Sequence, residues 1–179
     1  MSKTEGILIA NAPVSYGAFE VTVGHDPNVP DGVAILDEVA AAGYDGIDLG
    51  PVGYLGHGAQ LGERLAERGL GLAGAYLEFP FASTSGLDHV MPELDAMLDT
   101  FDAIAPYVSL LKPKPTIADN GSDDRRAHPG SGARRPDSAM SATEWDAWVK
   151  GLQRVAGHIR DRDRKSTRLN SSHVKRLVC

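Results

Sequence analysis

Short apolar, strand-like runs alternate with amphipathic helical segments along this chain, and this alternation constrains the fold more than any other feature. The strand-like runs span residues 7–13, 44–50, 72–79 and 108–117. The first, which opens Ile7-Leu-Ile-Ala, is apolar enough to predict a buried strand. Strands that alternate with helices favour parallel pairing through right-handed crossovers. The pattern therefore predicts an α/β fold built from four βα units.

The helical segments carry residues that are typical of helix ends. The predicted helices span residues 31–42, 60–68, 90–105 and 143–159. Asp31 is placed to cap the first helix and Gly43 to end it. The fourth helix has two candidate caps, Ser141 and Thr143, and with Thr143 the residue at capping-box spacing is Asp146. These ends support the helical interpretation independently of the apolar spacing.

Two architectures accommodate four βα units, a doubly wound sheet and a (β/α)8 TIM barrel. A barrel requires roughly 250 residues, so four units in about 162 residues amount to half of one. We therefore predict a partial (β/α)8 TIM barrel consisting of the first four βα units, with residues 1–162 as its N-terminal half. The polar segment 118–142 is expected to form a long loop, either a substrate lid or a disordered insertion.

The C-terminal segment matches a sequence that is not of protein-coding origin. Residues 163–173 read DRKSTRLNSSH, which is the translation of a common sequencing adapter in one reading frame. We therefore expect residues 163–179 to be translated adapter rather than native sequence, the alternative being a genuine basic tail. Without them, Lys plus Arg falls from 18 to 13 and Asp plus Glu from 24 to 23, which leaves a net charge of −10.

Composition narrows the classes of function. Hydrophobic residues make up 42% of the chain and charged residues 23%, as in ordinary globular proteins. No apolar stretch is long enough for a membrane span, and no secretory signal precedes residue 7, so we expect a cytoplasmic protein with no membrane partner. The single cysteine, Cys179, allows no disulfide or cysteine-based zinc site within one chain. The negative net charge disfavours a nucleic-acid partner.

One glycine pattern matches a dinucleotide-binding fingerprint but is rejected. Gly69, Gly71 and Gly74 satisfy G-x-G-x-x-G. That fingerprint requires a strand before it and a helix after it, so that the pyrophosphate meets a helix N-terminus. Here a predicted helix precedes the glycines and a predicted strand follows them. We therefore do not expect NAD binding.

In a barrel, functional side chains gather where the strands end and the βα loops begin. The polar residues at those positions are our candidates for substrate binding: Asn11, Glu20, Asp48, Tyr54, Glu78 and Lys114. No Ser-His-Asp arrangement and no phosphate-cradling loop is present, and the available groups suit recognition of a polyol. The catalytic residues themselves stay unassigned.

Each candidate also has a purely structural interpretation. Glu78 ends an apolar run, so its carboxylate needs a partner, which is either a sugar hydroxyl or a lysine such as Lys112 or Lys114. Lys114 suits an enolate or a phosphate as well as a solvated surface. Asn11 suits a hydroxyl or carbonyl contact as well as a turn, and Tyr54 suits a sugar face as well as a core wall.

Three segments resemble a known family. Residues 12–20 (APVSYGAFE), 42–55 (AGYDGIDLGPVGYL) and 68–75 (RGLGLAGA) are similar to the xylose isomerase-like TIM-barrel superfamily, whose members are called sugar phosphate isomerase/epimerase. The second and third segments resemble its inosose dehydratase branch, in which an acidic residue, here Asp48, precedes Leu-Gly. The resemblance covers about residues 7–117.

The resemblance implies a metal-dependent sugar or sugar-phosphate isomerase or epimerase that moves a proton next to a carbonyl. The alternatives are an inosose (2-keto-myo-inositol) dehydratase, which is a carbon–oxygen lyase, and a non-enzymatic carbohydrate-binding domain. A divalent metal (Mn, Mg, Co or Zn) is implied for the full-length protein, with ligands from later strands that this chain lacks. The chain alone is therefore expected to be poorly stable and inactive, and the full-length protein to be capable of homo-oligomerisation. An endonuclease of the same superfamily is disfavoured by the charge of −10.

Overall fold

Strands and helices alternate in the computed structural model, which describes residues 7–128, 135 and 139–169, without the side chains of residues 125 and 163–169. The strands are β1 (Ala10–Asn11), β2 (Gly46–Ile47), β3 (Gly71–Leu72), β4 (Gly74–Phe79) and β5 (Lys114–Asp119). The helices are α1 (Gly32–Ala41), α2 (Gly58–Glu67), α3 (Thr84–Ile104), α4 (Asp123–Ala127) and α5 (Ala142–Leu169). The chain therefore has a mixed α/β fold, as the sequence predicts.

The strands form small sheets in chain order. β1 pairs with β2 and β2 with β3, both in parallel, with Gly46 in register with Ala10 on one side and Gly71 on the other. β4 pairs with β5 in a second sheet. The two sheets are joined at Ala73, whose amide donates to Ile47 at 2.8 Å and whose carbonyl accepts from the Lys114 amide at 3.0 Å.

Several predicted helix ends are confirmed. The Asp31 carboxylate accepts hydrogen bonds from the Val33 and Ala34 amides at 2.8 and 2.9 Å, and Gly43 follows α1 with a positive φ of 83°. Of the two candidate caps for the last helix, Ser141 is the one used. Its hydroxyl and amide both bond the Glu144 carboxylate, at 2.7 and 2.8 Å, so the capping box is Ser141–Glu144.

Other boundaries differ from the predictions. Helix α3 begins at Thr84, six residues before the predicted start, because the Ser83 hydroxyl caps it by accepting from the Gly86 amide at 3.0 Å. Strand β5 begins at Lys114 rather than near residue 108. The predicted loop 118–142 contains the end of β5 and the short helix α4, while residues 129–134 and 136–138 lie outside the described part.

The first strand is the clearest correction. The run from Ile7 predicts a buried strand, but Ile7 is 92% exposed and Ile9 58% exposed. In the described sheet, β1 has a neighbour on one side only, since β2 is its single partner. An apolar strand without a second neighbour stays exposed to solvent.

The described residues divide into two compact units, the first within Met1–Glu78 and Glu93–Ala118 and the second within Phe79–Pro92 and Asp119–Cys179. The first unit contains β1, β2 and β3, α1 and α2, and its core packs α1 and α2 against those strands. Its fully buried aliphatic side chains are Ile35, Leu36, Val39, Ile47, Leu55, Leu61, Leu65, Leu72, Leu94 and Ile104. This core supports the polar ends of the strands.

The second unit is organised around stacked aromatic rings. Phe79 stacks on Phe81 at 5.5 Å between centroids, Phe81 meets the edge of Trp148 at 5.3 Å, and Trp148 stacks on Trp145 at 5.4 Å. The Trp148 indole donates to the Asp119 carboxylate at 2.6 Å. Aromatic packing of this kind adds stabilisation beyond the area that it buries.

Helix α5 runs as far as Leu169, so the predicted junction between residues 162 and 163 falls inside a helix. Residues 170–179, which hold most of the predicted adapter-derived segment, lie outside the described part, and the adapter origin stays a prediction. Within the described residues, no helix combines the length and the apolar character that crossing a membrane would require.

Candidate functional site

Polar residues come together where the carboxyl ends of β1 and β2 meet the starts of β4 and β5. Asn11 is the last residue of β1, and Asp48 follows β2 directly. Their backbones are bonded, since the Asp48 amide donates to the Asn11 carbonyl at 2.8 Å. The next strands contribute Gly74 at the start of β4 and Lys114 at the start of β5. The carboxyl ends of β1 and β2 therefore meet the beginnings of β4 and β5.

An open cavity of about 390 Å³ lies at this place. Its lining consists of Ala10, Asn11, Ala12, Asp48, Ala73, Gly74, Lys114 and Thr116. The volume falls within the range that small-molecule sites occupy, roughly 300–1,000 Å³. All eight residues belong to the first compact unit. The cavity is our candidate functional site.

A β-bulge shapes the middle of the cavity wall. In a regular parallel ladder, the Leu49 amide would bond the Ala73 carbonyl, because the Ala73 amide already bonds Ile47. Instead, the Leu49 amide donates to the Gly74 carbonyl at 2.8 Å, and the Ala73 carbonyl accepts from Lys114. Ala73 and Gly74 thus share one position opposite Asp48. Bulges of this kind are common beside functional sites, where they redirect side chains.

Only glycine fits at position 74. A Cβ atom there would lie 2.2 Å from the Lys114 carbonyl oxygen and 3.4 Å from Oδ1 of Asp48. The first distance is far below van der Waals contact, and the obstructing atom is backbone. The missing side chain therefore allows β5 to approach β4 and leaves room beside the Asp48 carboxylate.

Asp48 is the acidic group of the cavity. Its neighbours in sequence, Ile47 and Leu49, are buried at 0% and 2% exposure, whereas Asp48 is half-buried and faces the cavity. This alternation follows from the period of two in a strand. Partial burial raises the pKa of Asp48, and a hydrogen bond from the Leu49 backbone partly offsets the rise. A carboxyl group with a raised pKa is suited to exchanging protons.

Asn11 has an oriented side chain. Its Oδ1 accepts a hydrogen bond from the Ala12 amide at 2.8 Å, and its Nδ2 lies 3.4 Å from the Tyr16 hydroxyl, a long contact. Tyr16 ends a short 3-10 turn, Pro13–Tyr16, that follows β1 directly. The amide group is therefore held by its oxygen, and its NH2 group can donate to a ligand in the cavity.

The six predicted site residues fall into two groups. Asn11, Asp48 and Lys114 line the cavity together, whereas Glu20, Tyr54 and Glu78 are not part of its lining. The Tyr54 hydroxyl donates to the Pro30 carbonyl, so it joins two loops. Glu78 is exposed and accepts a hydrogen bond from the Tyr76 hydroxyl at 2.8 Å, and Glu20 is exposed as well.

Tyr76 links the residues outside the cavity. The pKa of its phenol is raised, first by the hydrogen bond to Glu78, then by slight burial and by the negative charges of Glu78 and Glu20. The three groups therefore form one electrostatic cluster around β4. Tyr76 stays protonated and donates to Glu78 near neutral pH.

Thr116 and Gly74 also line the cavity, although they are not among the six predicted site residues. Thr116 lies two residues after Lys114, and the period of two in a strand places both on one face. The predicted strand-like run 108–117 contains both residues, so strand periodicity around Lys114 is the signal that identifies Thr116. No local pattern indicates the bulge, because it depends on the pairing of three strands.

The residues of the cavity do not fit the divalent metal that the family resemblance implies. Asp48 is the only carboxylate in the described lining, and a lysine shares the cavity with it. Within the described residues, no three His, Cys, Asp or Glu side chains are grouped as a metal site requires. The described cavity therefore offers side-chain groups for proton transfer and hydrogen bonding, and no cluster of metal ligands.

No protein-family model matches the chain, and neither a curated protein nor a solved structure is found to match it. The cavity and its side chains are therefore the basis for assigning a function.

Proposed function

We propose that this chain forms the first four strand positions of a (β/α)8 barrel. The support is the order of its strands. β3 and β4 are consecutive segments that occupy one strand position, so the neighbouring positions are β1, β2, β3–β4 and β5, in chain order. Helices α1, α2 and α3 lie between them in the sequence. A doubly wound sheet reverses its strand order at a switch point. Continuous chain order, with a helix after each strand position, is instead the arrangement of a barrel.

We propose that the cavity binds a sugar or cyclitol ketone, and that the protein is a sugar or sugar-phosphate isomerase or epimerase. One observation carries this proposal, which is that Asn11, Asp48 and Lys114 line a single cavity. They supply a carboxyl group to move a proton, an amide to hold an oxygen and an ammonium group to balance negative charge. Proton transfer next to a carbonyl needs these three capabilities.

Asp48 is the proton-transfer group in this proposal. Its ionised form removes a proton from the carbon next to the substrate carbonyl, which leaves an enolate. For isomerisation, the proton of the neighbouring hydroxyl moves to the carbonyl oxygen, giving an enediol, and the protonated Asp48 carboxyl then delivers its proton to the former carbonyl carbon while the other hydroxyl becomes the new carbonyl. For epimerisation, water in the open cavity protonates the opposite face of the original carbon, and the Asp48 carboxyl gives its proton to water. The raised pKa of Asp48 supports this role, because an acid–base group works best when its pKa approaches the working pH.

Asn11 is the residue that holds the reacting oxygen. It lies on the strand next to Asp48, and its amide oxygen is already bonded to the Ala12 amide. The amide NH2 group is therefore available to donate to a carbonyl oxygen, which becomes negatively charged in the enolate. A donor fixed in advance stabilises that charge without reorganisation.

Deuterium exchange tests the proposal at its central step. We expect the 179-residue chain, incubated in D2O with fructose, fructose 6-phosphate or 2-keto-myo-inositol, to accelerate loss of the proton NMR signal next to the carbonyl of one of them. Asp48→Asn should return the exchange rate to that of buffer. Asp37→Asn is the matched control, since Asp37 lies on α1 and pairs with Arg68 at 2.7 Å.

The products separate the related functions. The expected inactivity of this chain concerns net turnover, so hydrogen exchange without net isomerisation is the anticipated result. A product formed by loss of water would instead identify a dehydratase. Chemical-shift changes at Asn11 and Gly74 without any exchange would identify a carbohydrate-binding domain. If none of the three ketones changes the spectrum of the cavity residues, the proposed function is wrong.

A further inference from the structure

Strand β1 has an edge that no strand of the described residues covers, since β2 is its single partner in the described sheet. The carbonyls of Ile9 and Asn11 accept hydrogen bonds from amides of the β2 segment, so these two residues face β2. Because backbone groups alternate in direction along a strand, the N–H and C=O groups of Leu8 and Ala10 point to the opposite side. They are therefore placed to pair with a further strand.

Strand β5 has a comparable edge on its far side, since β4 is its single partner in the described sheets. The Lys114 amide donates to the Ala73 carbonyl at 3.0 Å, on the β4 side, so the amide of Ile117 points away from β4. Pro115 faces the same outer edge, where a proline is tolerated because no N–H is needed there within the chain. Pairing at this edge therefore depends on Ile117.

The edge of β1 lacks the features that usually keep strand edges apart. Natural edges are protected by charged side chains, by proline or by a covering element. Residues 7–12 read ILIANA and contain neither a charge nor a proline. The side chains of Ile7, Leu8 and Ile9 are 92%, 40% and 58% exposed. An exposed apolar edge of this kind is a template for a strand of another chain.

The strand order determines which partner can use both edges. β1 and β5 occupy the two ends of four neighbouring strand positions, and the described pairs of β1, β2 and β3 are parallel. The bonds to β5 ascend in the same order along both strands, from Ala73 with Lys114 to Phe79 with Asn120, so β5 continues in that direction. A second copy, related by a two-fold axis along the strands, places its β5 beside β1 and its β1 beside β5.

The number of strands fits such a pair. Four strand positions from each copy make eight, which is the number that closes a parallel barrel. A ring of eight leaves no free edge, so the pairing stops at two copies instead of continuing into a filament. A second copy of this chain therefore satisfies both edges at once.

Building on the proposed strand order, and not on the proposed chemistry, we infer that two copies of this chain join into one eight-stranded barrel. The β1 edge of each copy pairs with the β5 edge of the other. In each of the two contacts, the backbone of Leu8 and Ala10 pairs with that of the partner's Ile117. The side chains of Ile7 and Ile9 are covered at the same contacts, and this removes apolar surface from water.

Sedimentation equilibrium of the 179-residue chain, over a range from about 1 µM to about 1 mM, tests the inference. We expect the average mass to rise from that of one chain to that of two and to stop there. Salt at about 0.15 M screens the net charge of −6 that each chain carries. A monomer over the whole range, or a mass that keeps rising beyond two chains, would overturn the inference.

Two proline variants test the two edges separately. Ala10→Pro and Ile117→Pro each remove an N–H that faces away from the neighbouring strand of the same chain, so the sheet within one chain is kept. Each should weaken dimerisation about tenfold or more. Ala10→Ser and Ile117→Val keep the N–H and should keep the dimer. A dimer that survives Ile117→Pro does not use the β5 edge, and the inference is then wrong.

A mixture of the two proline variants tests whether β1 pairs with β5. In a mixed dimer, the unchanged β1 of the Ile117→Pro chain meets the unchanged β5 of the Ala10→Pro chain, so one of the two contacts is restored. We expect the mixture to dimerise more strongly than either variant alone, because a single proline is enough to block an edge. A mixture that stays as monomeric as its components contradicts the inference.

Hydrogen exchange of the unmodified chain keeps the test decisive if a proline variant does not fold. The amides of Leu8, Ala10 and Ile117 should all exchange more slowly at about 1 mM than at about 1 µM, because the dimer pairs them. Slower exchange at Leu8 and Ala10 without any change at Ile117 would indicate that β1 pairs with β1, which would disprove the barrel.

The proposed function fails or stands separately, because it is measured by deuterium exchange of the ketones. A chain that stays monomeric and still accelerates that exchange overturns the dimer alone. A closed dimer that leaves all three ketones unchanged overturns the proposed function and supports the inference.

Discussion

Strands β1 and β2 each span two residues, yet isoleucines in their two segments differ greatly in burial. Ile47 on β2 is 0% exposed, whereas Ile9, next to β1, is 58% exposed. β2 has a parallel neighbour on each side, and α1 packs on it, while β1 has β2 as its single partner in the described sheet. The difference teaches that apolar sequence creates a tendency to be buried, but the neighbours of a strand decide whether it is.

The two strands that differ in burial also carry two residues of the candidate site. Asp48 follows the strand that is held on both sides, whereas Asn11 belongs to the edge strand. Asp48, the proposed proton-transfer group, therefore directly follows a strand with two neighbours, and Asn11, the proposed oxygen-binding group, lies on a strand with one neighbour in the described sheet. We expect perturbations of β2 and β4 to affect stability strongly, and perturbations of β1 to affect mainly the local order around Asn11.

The largest expected effect comes from truncating the buried strand. Ile47→Ala should lower the free energy of unfolding by roughly 3 kcal/mol, because it removes a fully buried side chain and leaves a cavity. Ile9→Ala, the matched change beside the exposed strand, should cost less than about 1 kcal/mol. Urea denaturation followed by circular dichroism measures both values. Equal losses would mean that the two strands are equally supported, which would break the comparison.

A smaller effect is expected at the bulge that joins the two sheets. Gly74→Ala should cost about 2 kcal/mol, because the new Cβ would lie 2.2 Å from the Lys114 carbonyl oxygen and would force β4 and β5 apart. Gly157→Ala is the control, since nothing lies within 4 Å of the corresponding position in α5 and alanine favours a helix. The control should be neutral or slightly stabilising. A harmless Gly74→Ala would show that the bulge tolerates a side chain.

Local chemistry explains which parts of the fold can be predicted from the sequence. Asp31 and Gly43 delimit α1 correctly, because capping and positive φ depend on residues within one turn. The start of α3 differs from the prediction because Ser83 caps the helix well before its apolar stripe begins. The exposure of Ile7 could not be predicted, because it depends on the absence of a second neighbouring strand rather than on the segment itself.

Part of the candidate site can likewise be predicted from the sequence. Asn11 and Asp48 lie at the carboxyl ends of their strands, as the strand-end rule predicts, whereas Lys114 lies at the start of β5; all three line one cavity. Tyr54 was selected by the same reasoning, but its hydroxyl bonds the Pro30 carbonyl, a contact between distant loops. Strand-end position thus identifies candidates, and only the tertiary packing decides which of them face a common space.

A third prediction concerns the attachment of the edge strand. The Asp45 carboxylate accepts a hydrogen bond from the Ile9 amide at 3.0 Å, beside the backbone bond from the Asp45 amide to the Ile9 carbonyl. Asp45→Ala removes this solvent-exposed hydrogen bond, whose loss should contribute about 1 kcal/mol. Hydrogen exchange should show faster exchange of the Ile9 amide and little change at Ile47. Faster exchange at both amides would mean that β1 and β2 open together.

The smallest expected effect is the contribution of Asp48 to the pH dependence of the free energy of unfolding. Burial raises the pKa of Asp48 above its ordinary value of 3.8, so between that value and the raised one the folded chain binds more protons than the unfolded chain. The contribution of Asp48 to the free energy of unfolding therefore falls as the pH rises through this window, and it is constant above it. Asp48→Asn removes the contribution, so the variant should gain stability relative to the unmodified chain between about pH 4 and about pH 7. Urea denaturation at both pH values measures the difference, with Asp37→Asn as the exposed control. If the variant instead loses stability relative to the unmodified chain as the pH rises, folding favours the ionised form of Asp48 and its pKa is not raised. The raised pKa would then no longer support the proposed proton-transfer role.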